Sequence, residues 1–225
     1  MTGKERLSRE LMAMRVAGEL EDGEDGMVVN LGIGMPTLVG NYISTDGGII
    51  LHAENGVIGF GPFPQEGQEN PNLVNAGGQP VTLLPGAAII SHADSFAMIR
   101  GGYIDVAVLG GFQVSQRGDL ANWSTDAGGL GSPGGAVDLA LAARRVIVMM
   151  EHATKDGQPK LLRECSYPLT GKECVELVVT DLGLFQVTGE GLLLREIAPG
   201  WTIEEVQALT DAPLTVSPEL REFLG

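Results

Sequence analysis

The feature that most constrains the fold is a regular alternation of short apolar runs with longer segments of helical periodicity. Each run has the length of a strand and is rich in Val, Ile and Leu, as expected for a buried strand. The runs lie at residues 27–31, 49–51, 105–109, 146–150 and 176–180. Because strands that alternate with helices form parallel sheets, we predict an α/β fold. The expected architecture is a single domain over residues 1–225, with an open, mostly parallel sheet and flanking helices.

Two predicted helices begin with the spacing of a capping box, in which a hydroxyl and a carboxylate satisfy free backbone N–H groups. These pairs are Thr2 with Glu5, in an amphipathic segment over residues 2–22, and Thr202 with Glu205. The first helix should bury one apolar face, formed by Leu7, Leu11, Met14 and Leu20.

The last part of the chain predicts a C-terminal β-hairpin. Residues 184–188 and 192–197 are strand-like, and Gly189 and Gly191 between them suit a tight turn. After the helix that starts near Thr202, we expect the tail to be loop.

Composition argues against several classes of protein. The formal net charge of −15 argues against nucleic acid or an anionic membrane as a partner. The sequence lacks an uninterrupted apolar run of about 18 residues, so no transmembrane helix is predicted. The start, MTGKERLSRELMAM, is too charged for a signal peptide, and Cys165 and Cys174 lack metal-type spacing. We therefore expect a cytoplasmic protein in a reducing environment.

Glu54 is the best candidate for chemistry, and it lies in the stretch IILHAENGVIGFGP at residues 49–62. This stretch is typical of a short buried strand that ends in the turn dipeptide Asn55-Gly56. Further glycines at positions 59 and 61 would let a ligand approach the backbone closely. Open α/β sheets place active-site groups at strand ends of this kind. On this stretch alone, a solvated acid in an ordinary turn is an equally good interpretation.

Two glycine-rich turns precede predicted helix starts. Gly32 and Gly34 form a tight turn, and Pro36 suits the first position of the helix that follows. Gly134 and Gly135 precede a second helix, AVDLALAARR. Free N–H groups at such helix starts attract anions. The full dinucleotide fingerprint and the Walker loop are both absent, so these turns are weak signals taken alone.

The three histidines do not indicate a metal site. His52, His92 and His152 lack the spacing of HExxH or comparable ligand sets. We interpret each as a satisfied polar group near a strand end. The Gly-x-Ser-x-Gly elbow of α/β-hydrolases is also absent, which argues against a serine triad. The sequence therefore predicts no metal.

The motif around Glu54 resembles the Glu-Asn-Gly signature of class I coenzyme A transferases, in the subunit that carries a nucleophilic glutamate. The similarity is carried by the motif ENGVIGFGP and by the later motifs NAGGQPVTLLPGA, SFAMIRGGYIDVAVLGGFQVSQRGDLANW, GGAVDLALAARRVIVMMEHATKDG and PLTGKECV. It extends from about residue 5 to residue 218. The resemblance is to the B subunits of succinyl-CoA:3-oxoacid and 3-oxoadipate CoA-transferases, and it implies the coenzyme A transferase fold.

The resemblance implies covalent catalysis by a ping-pong route. Glu54 would attack an acyl-CoA such as succinyl-CoA, giving an acyl–glutamyl anhydride and then a glutamyl-CoA thioester. A 3-oxoacid such as acetoacetate would then accept the CoA, and 3-oxoadipate or another short-chain acid is the alternative acceptor. CoA is a substrate in this scheme, and no cofactor is implied.

The resemblance also implies roles for particular residues. Glu54 would be the nucleophile, and the backbone around Gly134 and Gly135 would contact the thioester. Asn30 would lie in a turn that faces CoA, and Asn55 would hold the turn beside Glu54.

Two departures from the family pattern leave the substrate open. Some relatives carry a lysine suited to the CoA phosphates where this chain has Gly78. Residues 124–133, STDAGGLGSP, differ from the loop containing Pro-Gly-Lys in the acetoacetate enzymes. Another basic residue would have to replace the first contact, and the second difference leaves the acceptor acid undecided.

The resemblance covers one half of the family's catalytic unit. Further oxyanion and substrate contacts would come from an A-type subunit, in a heterotetramer of two A and two B chains. Acyl-CoA and carboxylic acids would be the substrates. Two other interpretations stay open, namely a non-catalytic acyl-CoA-binding or scaffolding subunit, and hydrolysis of the acyl intermediate by water.

Overall fold

The computed structural model describes residues 4–125 and 132–223, and its elements follow the predicted alternation. The helices are α1 (Arg9–Glu21), a 3-10 helix (Met35–Asn41), α2 (His92–Arg100), α3 (Ala136–Ala142) and α4 (Ile203–Ala208). The strands are β1 (Val28–Leu31), β2 (Ile50–Ala53), β3 (Val57–Phe60), β4 (Leu83–Ile89), β5 (Val106–Gly110), β6 (Gln113–Ser115), β7 (Leu120–Ala121), β8 (Arg145–Met150), β9 (Leu161–Leu162), β10 (Leu177–Thr180), β11 (Gly183–Thr188), β12 (Gly191–Ile197) and β13 (Leu214–Glu222).

Ten of the strands form one open sheet in the order β13-β12-β11-β10-β8-β5-β1-β2-β3-β4. The five central strands, β10, β8, β5, β1 and β2, are mutually parallel. Antiparallel strands extend the sheet on both sides, and β7, β6 and β9 form a small second sheet. The predicted α/β class with a mostly parallel sheet is confirmed. The assignment of residues 1–225 to a single domain stays a prediction.

Alternate residues of the central strands point into two cores, one on each face of the sheet. In β5, Val106 and Val108 join the core that contains the buried face of α1, while Ala107 and Leu109 join the other core. That second core includes side chains of α2, α3 and α4. Because both faces are covered, β1, β5, β8 and β10 are almost wholly buried, which explains their continuous apolar sequences.

The first helix begins later than predicted and buries a different face. Ser8 caps it, since the N–H of Leu11 donates to the Ser8 hydroxyl at 3.3 Å, whereas Thr2 lies outside the described residues. Of the predicted face only Leu20 is correct, because the face was counted from Leu7, which precedes the helix. The buried residues are Met12, Ala13, Arg15, Val16, Ala17 and Leu20.

The C-terminal part confirms the hairpin and corrects the tail. Strands β11 and β12 pair antiparallel, and the capping box of α4 forms between Thr202 and Glu205. The prediction of a loop for the tail is wrong, because the tail forms β13, parallel to β12. Pro218 hid this strand, since proline cannot donate to a sheet ladder. It lies at the sheet edge, in an irregular stretch between the residues that pair, Val216 and Arg221.

Within residues 4–125 and 132–223, no helix is both long enough and apolar enough to cross a membrane. The same residues contain no cluster of three or more His, Cys, Asp and Glu side chains that could hold a metal ion. Cys165 and Cys174 are free and half-buried, and burial raises the pKa of their thiols to about 12 and about 11. Both are therefore protonated at neutral pH, which makes them poor nucleophiles.

Candidate functional site

A cavity of about 450 Å³ opens at the carboxyl edge of the parallel strands. Its lining includes the residues that directly follow β1, β2, β5 and β8, namely Gly32, Glu54, Gly111 and Glu151. The chain adds β2 on one side of β1 and later adds β5 on the other side. Open α/β sheets bind ligands at such a switch point, beyond the carboxyl ends of the strands. The structure therefore places Glu54 where the sheet topology favours a binding site.

The turn that carries Glu54 is held by backbone and side-chain hydrogen bonds. The Gly56 N–H donates to the Ala53 carbonyl at 2.9 Å, which closes the turn between β2 and β3. Gly56 has a φ of +110°, and a Cβ atom there would overlap the carbonyl oxygen of Ile90. The Asn55 amide donates to the Val74 carbonyl at 2.8 Å, so it ties this turn to the long loop that follows β3. The carboxylate of Glu54 thus projects from a fixed backbone.

Burial raises the pKa of the half-buried Glu54 carboxyl group. The exposed His92, at the first position of α2, opposes this rise through its charge, whereas Asp138 of α3 adds to it. A carboxylate with a raised pKa is more basic, and so a stronger oxygen nucleophile, once it is ionised. The surroundings of Glu54 therefore suit covalent chemistry better than a fully solvated acid would.

A buried hydrogen-bonded chain connects β1, β2 and α2 next to Glu54. The Asn30 amide nitrogen lies 2.9 Å from Nδ1 of His52, and Nε2 of His52 lies 3.0 Å from the Ser95 hydroxyl. Because an amide nitrogen only donates, we assign Nδ1 as the acceptor and place the imidazole proton on Nε2. Burial lowers the pKa of His52 to about 4, so the ring is neutral in this arrangement. These hydrogen bonds fix the position of β2, the strand that directly precedes Glu54.

The placement of Asn30 in a turn that faces CoA is wrong. Asn30 lies inside β1 with 1% of its surface exposed, and its amide also donates to the His52 carbonyl at 3.3 Å. The error arose because β1 continues through Leu31. The glycine-rich turn therefore begins at Gly32 and not beside Asn30. A contact between Asn30 and CoA stays a prediction.

The histidines divide into two buried residues and one exposed residue. His152 bonds through its two ring nitrogens to the hydroxyls of Thr180 and Thr210, at 2.9 and 2.8 Å. His52 and His152 are therefore satisfied polar groups near strand ends, as predicted. His92 differs, because it is exposed and its charge acts on Glu54.

The glycines before α3 approach Glu54 closely. A Cβ atom on Gly135 would overlap the Glu54 carboxylate and would lie 3.0 Å from Cζ of Phe96. The φ of Gly135 is −75°, which any residue adopts, so glycine is needed here for space. Gly134 has a φ of +52° and open space around it, so glycine is favoured there by backbone conformation. The structure thus brings Glu54, Gly134 and Gly135 together in one cavity.

Sequence reasoning missed two cations that line the same cavity, Arg9 and Lys160. Arg9 is the first residue of α1, and its guanidinium donates to the Glu151 carboxylate at 3.1 Å. Lys160 reaches the cavity because an isolated bridge between Ala153 and Pro159 folds the chain back after β8. The turn itself has a local signal, Asp156-Gly157, but the place of Lys160 in the cavity wall depends on the long-range pairing of β9 with β6.

The two departures from the family pattern are at Gly78 and in residues 124–133. Gly78 has a φ of +75° and open space where a Cβ atom would be. A lysine would therefore fit in space but would adopt an unfavourable backbone conformation. Of residues 124–133, positions 126–131 lie outside the described residues, so the comparison of this loop with the acetoacetate enzymes stays a prediction.

Sequence comparisons agree with this geometry. Residues 9–209 match a family model described as Coenzyme A transferase. The chain is 54% identical over 215 residues to the B subunit of 3-oxoadipate CoA-transferase from Pseudomonas putida, with 95% of this chain and 99% of that protein covered. It is 47% identical over 210 residues to the B subunit of a probable succinyl-CoA:3-ketoacid coenzyme A transferase from Bacillus subtilis, with 93% and 96% covered.

Comparison with solved structures supports the fold. An acyl-CoA transferase apoenzyme from Escherichia coli O157:H7 superposes with a TM-score of 0.74 at 23% sequence identity. The superposition covers 96% of this chain and 43% of that chain. This chain therefore spans less than half of that protein and reproduces one of its parts.

Proposed function

The chain belongs to the coenzyme A transferase family, and on this premise we propose that it is the glutamate-bearing B-type component of a two-component CoA-transferase. The observation that carries the proposal is the contact between the Glu54 carboxylate and the backbone at Gly135, inside one cavity. The partner is an A-type subunit, in an assembly of two A and two B chains. The substrates are an acyl-CoA such as succinyl-CoA and a 3-oxoacid acceptor.

Glu54 starts the proposed reaction as an oxygen nucleophile. Its carboxylate attacks the thioester carbonyl, the C–S bond breaks, and the products are an acyl–glutamyl anhydride and CoA thiolate. The thiolate then attacks the glutamyl carbonyl of the anhydride, which releases the first acid as its carboxylate. The resulting glutamyl-CoA thioester receives the second carboxylate, and the same two steps in reverse yield the new acyl-CoA. The CoA thiolate that leaves in each first step attacks in the second, and the first acid departs as a product, so neither water nor a redox partner is needed.

The backbone before α3 is suited to stabilising the charge that develops on the carbonyl oxygen. Among the described residues, the N–H of Gly135 has no hydrogen-bond acceptor. A Cβ atom on Gly135 would overlap the Glu54 carboxylate, so an acyl group bound to that carboxylate comes close to this part of the backbone. Donors of this kind stabilise the oxyanion most strongly in sites that exclude water. We assign this role to Gly135, with Gly134 setting the backbone path.

The acceptor acid is either 3-oxoadipate or a 3-oxoacid such as acetoacetate. Relatives of both names align with nearly the whole chain. A non-catalytic role is disfavoured, because a scaffold has no need for a half-buried carboxylate with a raised pKa in a cavity at the carboxyl edge of the sheet.

The proposal is tested by trapping the covalent intermediate in the complex with the A-type partner. After incubation with succinyl-CoA, borohydride should reduce a thioester at Glu54, and hydroxylamine should convert it to a hydroxamate. Mass spectrometry of the peptide that contains Glu54 detects both products. If the complex binds CoA but neither reagent modifies Glu54, the chain is a binding component only. Release of free CoA without an acceptor acid would indicate hydrolysis.

We expect Gly135→Val to lower turnover of the complex by at least about 100-fold, because displacing a reacting group by about 1 Å has an effect of that size. The new side chain would overlap the Glu54 carboxylate. The melting temperature should fall by only a few degrees, since overpacking at one site costs about 1–3 kcal/mol. Steady-state rates and thermal melts measure the two effects.

The matched control is Gly189→Val, which places the same side chain in the open hairpin turn between β11 and β12. It should leave turnover unchanged. If Gly135→Val instead reduces activity only in proportion to its loss of folded protein, Gly135 has a structural role and its assignment to the site is incorrect.

A further inference from the structure

We propose that Lys160 binds the distal carboxylate of a dicarboxylic acyl group, so that the cavity favours dicarboxylic acyl-CoA donors over monocarboxylic ones. Succinyl and 3-oxoadipyl groups are of this class, because each keeps a free carboxylate when its other end is joined to CoA. The inference rests on the proposed function, since it assigns a substrate class to the cavity that contains Glu54.

Lys160 is held at the cavity wall by its own backbone. Its N–H donates to the His152 carbonyl at 3.2 Å, and its carbonyl accepts from the Val114 N–H at 3.0 Å. His152 is itself fixed by bonds to two buried threonines. The residue after Lys160 begins β9, which pairs with β6. The lysine side chain therefore extends from a rigid base, as a specificity-determining residue requires.

The charges in the cavity leave Lys160 available. Arg9 donates to Glu151, so these two side chains balance each other. Within the described part of the chain, no carboxylate lies within ion-pair distance of the Lys160 ammonium. Much of the remaining lining is apolar and includes Leu109 and Met150. A half-buried ammonium beside apolar walls gains most from a carboxylate supplied by a ligand.

The reaction accounts for one carboxylate of a diacid but not for both. The first reacts at Glu54, where it is exchanged between acid, anhydride and thioester. The second takes no part in bond making, yet it must leave water when the acyl chain enters the cavity. A buried charge without a partner is costly, so a cation in the lining of the cavity would stabilise the bound diacid. Of the two cations that line the cavity, Lys160 is the one without an internal partner among the described residues.

The experiment compares two acyl donors of equal carbon number in the complex with the A-type partner. Succinyl-CoA carries the distal carboxylate, and butyryl-CoA has a methyl group in its place. We expect Lys160→Met to lower kcat/KM for succinyl-CoA by about 10- to 100-fold, the size expected for one lost charge-assisted hydrogen bond. The value for butyryl-CoA should stay within about twofold of wild type. Lys160→Arg should restore most of the preference, because it keeps the charge.

The matched control is Lys155→Met, which removes an exposed lysine from the turn after β8 that lines a neighbouring groove rather than the cavity. This variant should change kcat/KM for neither donor. If Lys160→Met lowers kcat/KM equally for both donors, the lysine binds the CoA moiety or supports folding. If kcat/KM falls for neither donor, the lysine has no role in the site. Either result overturns the inference. If the wild-type complex uses neither donor and forms no Glu54 thioester, the proposed function fails instead.

Ligand binding provides a measurement that is independent of turnover. Succinate should raise the melting temperature of the wild-type complex more than butyrate does. That difference should disappear in Lys160→Met and persist in Lys160→Arg. If succinate keeps its advantage in Lys160→Met, the distal carboxylate is bound elsewhere and the inference is incorrect.

Discussion

We expect Glu54→Ala to abolish CoA transfer by the complex with the A-type partner and to leave the fold intact. Removing a covalent nucleophile eliminates the stepwise route, and losses of roughly 10⁵- to 10⁶-fold are typical of such changes. The carboxylate lies in the cavity next to Gly135, and among the described residues no second acid occupies an equivalent position against that glycine. Initial rates with succinyl-CoA and an acceptor acid measure the loss. Turnover close to wild type would remove Glu54 from the mechanism.

The stability of a Glu54 variant has a predictable sign. Burial raises the pKa of Glu54 in the folded state, so the folded protein binds this proton more tightly than the unfolded chain does. The stabilising contribution is complete below the unfolded pKa and is lost as the pH rises through the folded pKa. Above the folded pKa the ionised group is therefore unfavourable, and there Glu54→Gln should melt no lower than wild type. Any gain in melting temperature of Glu54→Gln over wild type should vanish in acid, where wild-type Glu54 is protonated.

Two further variants separate geometry from charge. Glu54→Asp keeps the charge but withdraws the carboxylate by one methylene, so it should also be poor, because reactivity depends steeply on proximity. Glu24→Ala is the matched control, since Glu24 is exposed in the turn before β1, at the opposite edge of the sheet from the cavity. It should retain full activity. A similar loss in this control would show that the assay reports general damage.

The central sheet could be predicted because its strands are buried on both faces. Continuous apolar runs such as VIVMM are typical of strands buried on both faces, and the alternation with helices implies parallel order. The outer elements were harder, since they are only partly buried. Strand β13 contains Pro218 and has no buried residue, so its sequence lacks the continuous apolar run of the central strands and resembles a loop until its pairing with β12 is known.

The candidate site likewise contains residues that the sequence indicates and residues that it does not. Glu54 and Gly135 are signalled by local motifs, a strand end with a turn dipeptide and a glycine at a helix start. The chain of Asn30, His52 and Ser95 is not, because it joins three elements that are distant in sequence. Lys160 also depends on long-range pairing. Local patterns together with the family resemblance therefore indicate the proposed nucleophile, whereas the residues that pack beside it or line the rest of the cavity emerge only from the fold.

The isolated chain should be inactive, and adding the A-type partner should restore CoA transfer. The cavity of this chain offers the nucleophile and the free N–H of Gly135 among its described residues, and the proposed reaction needs further donors for the oxyanion. Loss of one such donor typically costs about 10²- to 10³-fold in rate. We therefore expect the lone chain to be slower than the complex by at least that factor.

The surface around the cavity is consistent with a missing partner. Ile33 and Phe112 line the cavity, yet they are 64% and 40% exposed. Large apolar side chains exposed beside a site are typical of surfaces that another protein covers. A stable complex usually buries more than about 1,200 Å² in total, which is enough to cover these side chains and close the cavity to water.

The test is to purify this chain without a partner, to establish by circular dichroism and a cooperative melt that it is folded, and to assay CoA exchange. Titration with the A-type partner should raise the rate until the two chains are equimolar, and light scattering should then give the mass of two A and two B chains. A folded chain that turns over alone at the rate of the complex would show that all oxyanion donors reside in this chain. The shared site would then be rejected, because the A-type partner could contribute no group whose loss slows the reaction.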